Sequence, residues 1–192
     1  MTLSEFSWQL SLGKDREWKI AWLNSRLGLS TGFENDVIWK IYHRVVKTAS
    51  YIKSWGLRVP ENCDLCPVTE DIDHVFLNCP IARDVWNFIP PFVENLPGKL
   101  EISAEFLFFF EFPRFKNKNA KKLSMYLLKL CIYQLWLHRC DRRFEKKPAR
   151  SATVISSIRA EIKERIKLVS IRRVICKNNF LSGRMVMFYV KM

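Results

Sequence analysis

The sequence predicts a mainly α-helical protein, with a small helical unit over residues 33–92 followed by a basic helical region over 120–192. Three observations carry this. Apolar residues recur at helical spacings of three and four in several stretches. Four soft or borderline ligands, Cys63, Cys66, His74 and Cys79, fall between two of those stretches. The charge also changes sign along the chain. Residues 1–113 hold 11 Lys/Arg against 15 Asp/Glu, whereas residues 114–192 hold 21 against 4, a net +17.

Residues 1–32 form a flanking segment rich in tryptophan (Trp8, Trp18, Trp22), with a helix predicted over 15–27 ending at Gly28. Gly32 and Asn35-Asp36 then mark a turn and a helix start. From Asp36 to about Ser54 the pattern is helical, with Ile38, Ile41, Val45, Ala49 and Ile52 on one apolar stripe. Lys40, Arg44, Lys47 and Tyr51 fall opposite. That stripe suits a phosphate backbone, and equally the solvated face of an amphipathic helix. Gly56 fits the position just past the helix end.

The chain then reaches Cys63-Asp-Leu-Cys66, a tight turn supplying half a tetrahedral site. Asp71 starts a short helix carrying His74. Residues five apart do not share an α-helical face, so the backbone must bend between His74 and Cys79 if both hold one ion. Pro80 pushes Cys79 out of the α region, which lets it turn back. The order C-x2-C-x7-H-x4-C (CCHC) predicts one structural Zn²⁺; the alternative is three buried thiols and a core histidine. After Pro80, a helix buries Ala82, Val85, Trp86 and Ile89 and stops at Pro90-Pro91.

Residues 93–119 bridge the two regions. The aromatic run 106–112 is expected to be a helix on the core, or a strand, and 113–119 is a polar, basic linker. A strongly apolar helix from Ala120 to about Glu145 follows. It ends in a cluster containing His138, Arg139, Arg142, Arg143, Lys146 and Lys147. Cations complement a helix C-terminus, but six basic side chains exceed what that requires, so Arg139, Arg142, Arg143, Lys146 and Lys147 are candidates for phosphate contact. Pro148 breaks the pattern. An amphipathic helix from Ser151 to about Val169 then turns Ile155, Ile158, Ile162, Ile166 and Val169 inward, with Glu161 and Arg165 paired four apart. Arg172, Arg173, Lys177, Arg184 and Lys191 continue the basic character.

The N-terminus has no basic n-region and no apolar h-region, so the thiols are expected to be reduced, in a nuclear or cytoplasmic setting rather than a secreted one. No apolar run reaches the length of a membrane span: 125–137 is too short and contains Lys129 and Gln134. The chain has no Asp-Asp pair of the kind a two-metal polymerase site uses, and acids are scarce after Lys118. His138 and Cys140, two apart on a helix, cannot face each other. No enzymatic activity is expected.

Taken together, Trp39, Arg44, Thr48, Trp55-Gly56-Leu57, Cys63-x2-Cys66, His74-x-Phe76-x2-Cys79, Ala82 and Trp86 strongly resemble the reverse-transcriptase zinc-binding domain. That domain lies downstream of the polymerase in non-LTR (LINE-type) retrotransposon proteins. Residues 132–144, Ile-Tyr-Gln-Leu-Trp-Leu-His-Arg-Cys-Asp-Arg-Arg-Phe, are similar to the tail that follows it, except that Cys140 stands where the family has asparagine. The resemblance implies that Cys63, Cys66, His74 and Cys79 bind zinc. It also implies an accessory role on RNA or DNA, weakly sequence-specific at most, beside a reverse transcriptase polypeptide. Two other functions fit the sequence: a protein-interaction module docking on a polymerase or other partner, and a truncated retrotransposon remnant without independent function.

Overall fold

The structure, a computed structural model, describes residues 30–89, 107–108 and 118–168. The helix expected over 15–27, most of the aromatic run 106–112 and the basic tail 172–191 lie outside the described residues. Those described are mainly helical, with no strand among them.

Helix α1 (Gly32–Tyr42) starts from a capping box: Thr31 Oγ1 accepts the Glu34 N–H, and the Glu34 carboxylate accepts the Thr31 N–H. It buries Val37, Ile38, Ile41 and Tyr42. The helix predicted to run on to Ser54 stops here. Arg44 adopts φ 53°, its N–H reaches Ile41 O at 2.9 Å, and the Val45 N–H reaches Lys40 O at 2.9 Å. This is a Schellman closure with arginine in the left-handed position usually held by glycine. Thr48 then caps a second helix, α2 (Ala49–Ser54), which ends at Gly56 with φ 80°. The apolar spacing continued across the corner, but the backbone turned there.

Between α2 and the next helix, residues 61–70 fold back on themselves. Asn62 bridges Thr69, Cys63 N–H donates to Val68 O at 2.9 Å, and Glu70 N–H donates to Glu61 O at 2.9 Å. His74–Asn78 form a π turn, and α3 (Pro80–Phe88) follows with Pro80 in its first turn. Ala82, Val85, Trp86 and Ile89 are all buried, as their spacing predicts. The Trp86 indole N–H donates to Phe76 O at 2.7 Å, which satisfies a carbonyl of the π turn in the interior.

Helix α4 (Lys118–Glu145) is the longest, and α5 (Ser151–Leu168) returns beside it. α1 packs on α4, and α3 packs on both α4 and α5. The described parts of the two regions therefore share one hydrophobic core, running from Val37 through Phe76 and Trp86 to Leu130, Ile132 and Ile158. Phe76 sits at its centre, edge-on to Phe108 (6.1 Å between centroids) and 6.3 Å from Trp136. In α5, Val154, Ile158 and Ile162 are buried and Ile155 partly so; the side chains of Ile166 and Val169 lie outside the described residues. Arg165 pairs with Glu161 at 2.8 Å as expected, and also reaches buried Glu34 at 3.1 Å, tying α5 to the start of α1.

Candidate metal centre

The metal centre is assembled from two short, different backbone devices. The first is the fold-back of residues 61–70, whose tip carries Cys63 and Cys66; the Leu65 N–H points at Cys63 Sγ at 3.5 Å. Amide donors of this kind stabilise a thiolate. The second is the π turn. Asp71 Oδ1 accepts the His74 N–H at 2.7 Å and so fixes where the turn begins. The Cys79 N–H then donates to His74 O at 2.8 Å, an i→i+5 bond that brings the residues carrying the last two ligands onto neighbouring turns. Cys79 leaves in an extended conformation (φ −61°, ψ 140°) before Pro80. The bend that the five-residue spacing demanded is this turn.

Cys63 Sγ, Cys66 Sγ, a His74 ring nitrogen and Cys79 Sγ all lie within 4.8 Å of one another. His74 Nε2 is 3.2 Å from Cys66 Sγ. Zinc–sulfur bonds of about 2.3 Å and zinc–nitrogen bonds of about 2.0 Å set tetrahedral edges in this range. Cys63, His74 and Cys79 are buried. Three thiolates and one imidazole close a tetrahedron completely, so the set fits one structural Zn²⁺.

Residues 7–86 match the family model zf-RVT, zinc-binding in reverse transcriptase. The zf-RVT match takes in all four ligands, both devices that hold them and most of α3, and covers less than half of the 192-residue chain. No curated protein and no solved structure matches the chain.

Beside the four ligands lies a second layer that the sequence did not reveal. Glu70 is fully buried. Its Oε1 accepts the Ala49 N–H at 3.1 Å, placing a carboxylate at the start of α2, and accepts Arg139 Nε at 3.0 Å and Arg139 Nη2 as well. Its Oε2 lies 3.4 Å from Arg143 Nη1 and 3.8 Å from Arg142 Nη2. Asp64, inside the Cys knuckle, meets Arg142 Nε and Arg143 Nη1, each at 3.3 Å. Arg142 Nη2 also stands 3.6 Å from Cys63 Sγ. Arg143 additionally donates to Asn62 O and Pro60 O. The contact between the Cys63 and Cys79 thiols leaves the sulfurs unequal. The hydrogen bond from Cys79 holds Cys63 below the ordinary thiol range, with the Leu65 amide and Arg142 adding to the effect. Cys79 is correspondingly pushed up.

The expected phosphate-contacting side chains thus divide. Arg139, Arg142 and Arg143 do not form an outward cluster: Arg139 is 3 % exposed and Arg142 8 %, and all three guanidiniums face the zinc unit. A phosphate would have to displace Glu70 or Asp64 to reach them. Lys40 is exposed and paired with Asp36 four residues earlier. Arg44 is partly buried in a cleft beside Asp71 and Asp73, where burial lowers its pKa against the pull of both carboxylates. Lys47 and Lys146 are exposed, and Lys147 is exposed beside Asp141 and Glu145. Among the described residues, no helix is long and apolar enough to cross a membrane.

Proposed function

We propose that this chain is a zinc-stapled accessory module that binds nucleic acid, corresponding to the C-terminal part of a non-LTR retrotransposon reverse transcriptase protein, and that it works beside the polymerase rather than as an enzyme. The observation that carries this is the closed zf-RVT centre joined through Glu70 to a long helix from the basic region. All four positions around the ion are filled by side chains, which leaves none for a substrate or an activated water. The metal's part is to hold α2, the Cys knuckle and α3 in register. Contact with RNA or DNA falls to the exposed cations Lys40, Lys47, Lys146 and Lys147, within a chain of net charge +13.

The test is fluorescence anisotropy of the zinc-loaded chain with labelled single-stranded RNA, single-stranded DNA and duplex DNA over a salt series. Affinity should fall steeply and log-linearly with salt, because phosphate neutralisation releases counterions. Absence of binding to every probe at low salt refutes the proposal. One observation favours a second function, docking on a reverse transcriptase polypeptide: Phe33 is 72 % and Phe144 66 % exposed, large apolar areas for a module with so complete a core.

A further inference from the structure

The corner between α1 and α2 combines features that packing alone does not require. Its backbone turns at Arg44, the left-handed residue of the Schellman closure that ends α1. The Arg44 side chain lines an open cleft of about 240 Å³ together with Thr48, Ser50, Tyr51, Asp71 and Asp73. On one side of the corner, the Trp39 ring lies against His43, the residue preceding Arg44, with centroids 4.3 Å apart. On the other, Trp55 meets Tyr51 of the cleft wall edge-on at 5.0 Å. Both tryptophans stay more than half exposed, and Lys47 in the connecting segment faces solvent.

We propose that this corner is a stacking site for a single strand: bases lie on Trp39 and Trp55, and the sugar between them lies against the hydroxyl- and carboxylate-lined cleft. The inference rests on the nucleic-acid reading above and deepens it by naming strand form and place. Indole faces stack any base, so the site is tolerant of sequence, and they are useless to a duplex whose bases are already stacked. The cleft sets the Arg44 guanidinium beside the Asp71 and Asp73 carboxylates, so what it offers a strand is hydroxyls and carboxylates that can hydrogen-bond a ribose. A 2′-OH both donates and accepts, so those groups can distinguish RNA from DNA.

The experiment compares the zinc-loaded full chain with Trp39→Ala/Trp55→Ala, and with Phe33→Ala as a control at an aromatic more exposed than either tryptophan. The probes are a labelled polypyrimidine RNA, the matching DNA and a duplex. The double variant should lose on the order of tenfold or more in affinity for single strands. Its duplex binding and salt slope should stay at parent values, because no phosphate contact is removed. Tighter binding of the RNA than of the matching DNA by the parent supports ribose contact in the cleft; equal affinities overturn that part and leave stacking alone. If the parent binds single strands and the double variant binds them equally well, the corner is refuted while the general function stands. Equal losses on duplex, or in Phe33→Ala, also refute it. A parent that binds no nucleic acid refutes both.

Discussion

Replacing Glu70 by glutamine keeps the side chain's shape and removes its charge at the point where the zinc unit meets helix α4. In the parent, one buried carboxylate receives two bonds from Arg139, lies within ion-pair distance of Arg142 and Arg143, and caps the Ala49 N–H. Arg139 is 3 % exposed, so its charge cannot be recovered by water when Glu70 becomes neutral. Breaking a buried pair from one side typically costs about 3–5 kcal/mol, because the abandoned ion keeps its desolvation penalty. Asp64 stays in place as a partner for Arg142 and Arg143, but not for Arg139, so about 3 kcal/mol is the expected loss for Glu70→Gln. The assay is urea denaturation of the zinc-saturated chain followed by far-UV circular dichroism. The midpoint should fall with the slope unchanged. Glu70→Leu combined with Arg139→Met should recover most of the loss, since both buried charges then disappear together. A Glu70→Gln variant within about 0.5 kcal/mol of the parent, the range of ordinary surface substitutions, would show that the cluster is not energetically coupled to the fold.

Cys79→Ser should abolish bound zinc by elemental analysis and lower helical content, and acidification should release the ion from the parent as the thiolates and imidazole protonate; a metal-free parent with full helicity contradicts both. Arg142→Gln should weaken zinc on the order of 10- to 100-fold in chelator competition, because the contact at 3.6 Å offsets thiolate charge at Cys63; an unchanged affinity shows that Arg142 serves only the carboxylates. Lys129 is buried on α4, with Nζ 3.2 Å from Asn35 Oδ1, and burial lowers its pKa to about 8 from 10.5. The folded chain therefore holds fewer protons than the unfolded one between those values, so this residue's contribution to stability grows as pH rises through that window. Lys129→Met should be the more stable protein at pH 7, by on the order of 3 kcal/mol at most, with the gap closing towards pH 10.5; parallel stability curves for the two proteins refute the argument.

The four ligands, the Pro80 helix start and the buried face of α3 were legible because each follows from local chemistry. Cysteine spacing, proline geometry and the three-four apolar repeat act over a few residues. The five-residue gap from His74 to Cys79 even required a bend, which the π turn supplies. The corner at Arg44 was not legible, because Ile41, Val45 and Ala49 continue the helical spacing and neither glycine nor proline interrupts it. Thr48 was the available signal, a good N-cap in the middle of an apparent helix. The inward turn of Arg139, Arg142 and Arg143 depends on Glu70 and Asp64, some seventy to eighty residues earlier. No local pattern separates arginines that meet phosphates from arginines that meet a buried carboxylate.

That long reach has a consequence for synthesis. Chains emerge N-terminus first, so the Cys knuckle and Glu70 leave the ribosome well before Arg139 does. In that interval zinc can bind, but the carboxylate at the head of α2 has no arginine to meet it and Phe76 has no Trp136 to cover it. The early half is thus a nascent intermediate with an open apolar face and an unmatched charge, both awaiting the same helix. A truncation just past Ile89 would freeze it there: metal-bound, sticky and without the basic half that gives the whole chain its net positive charge.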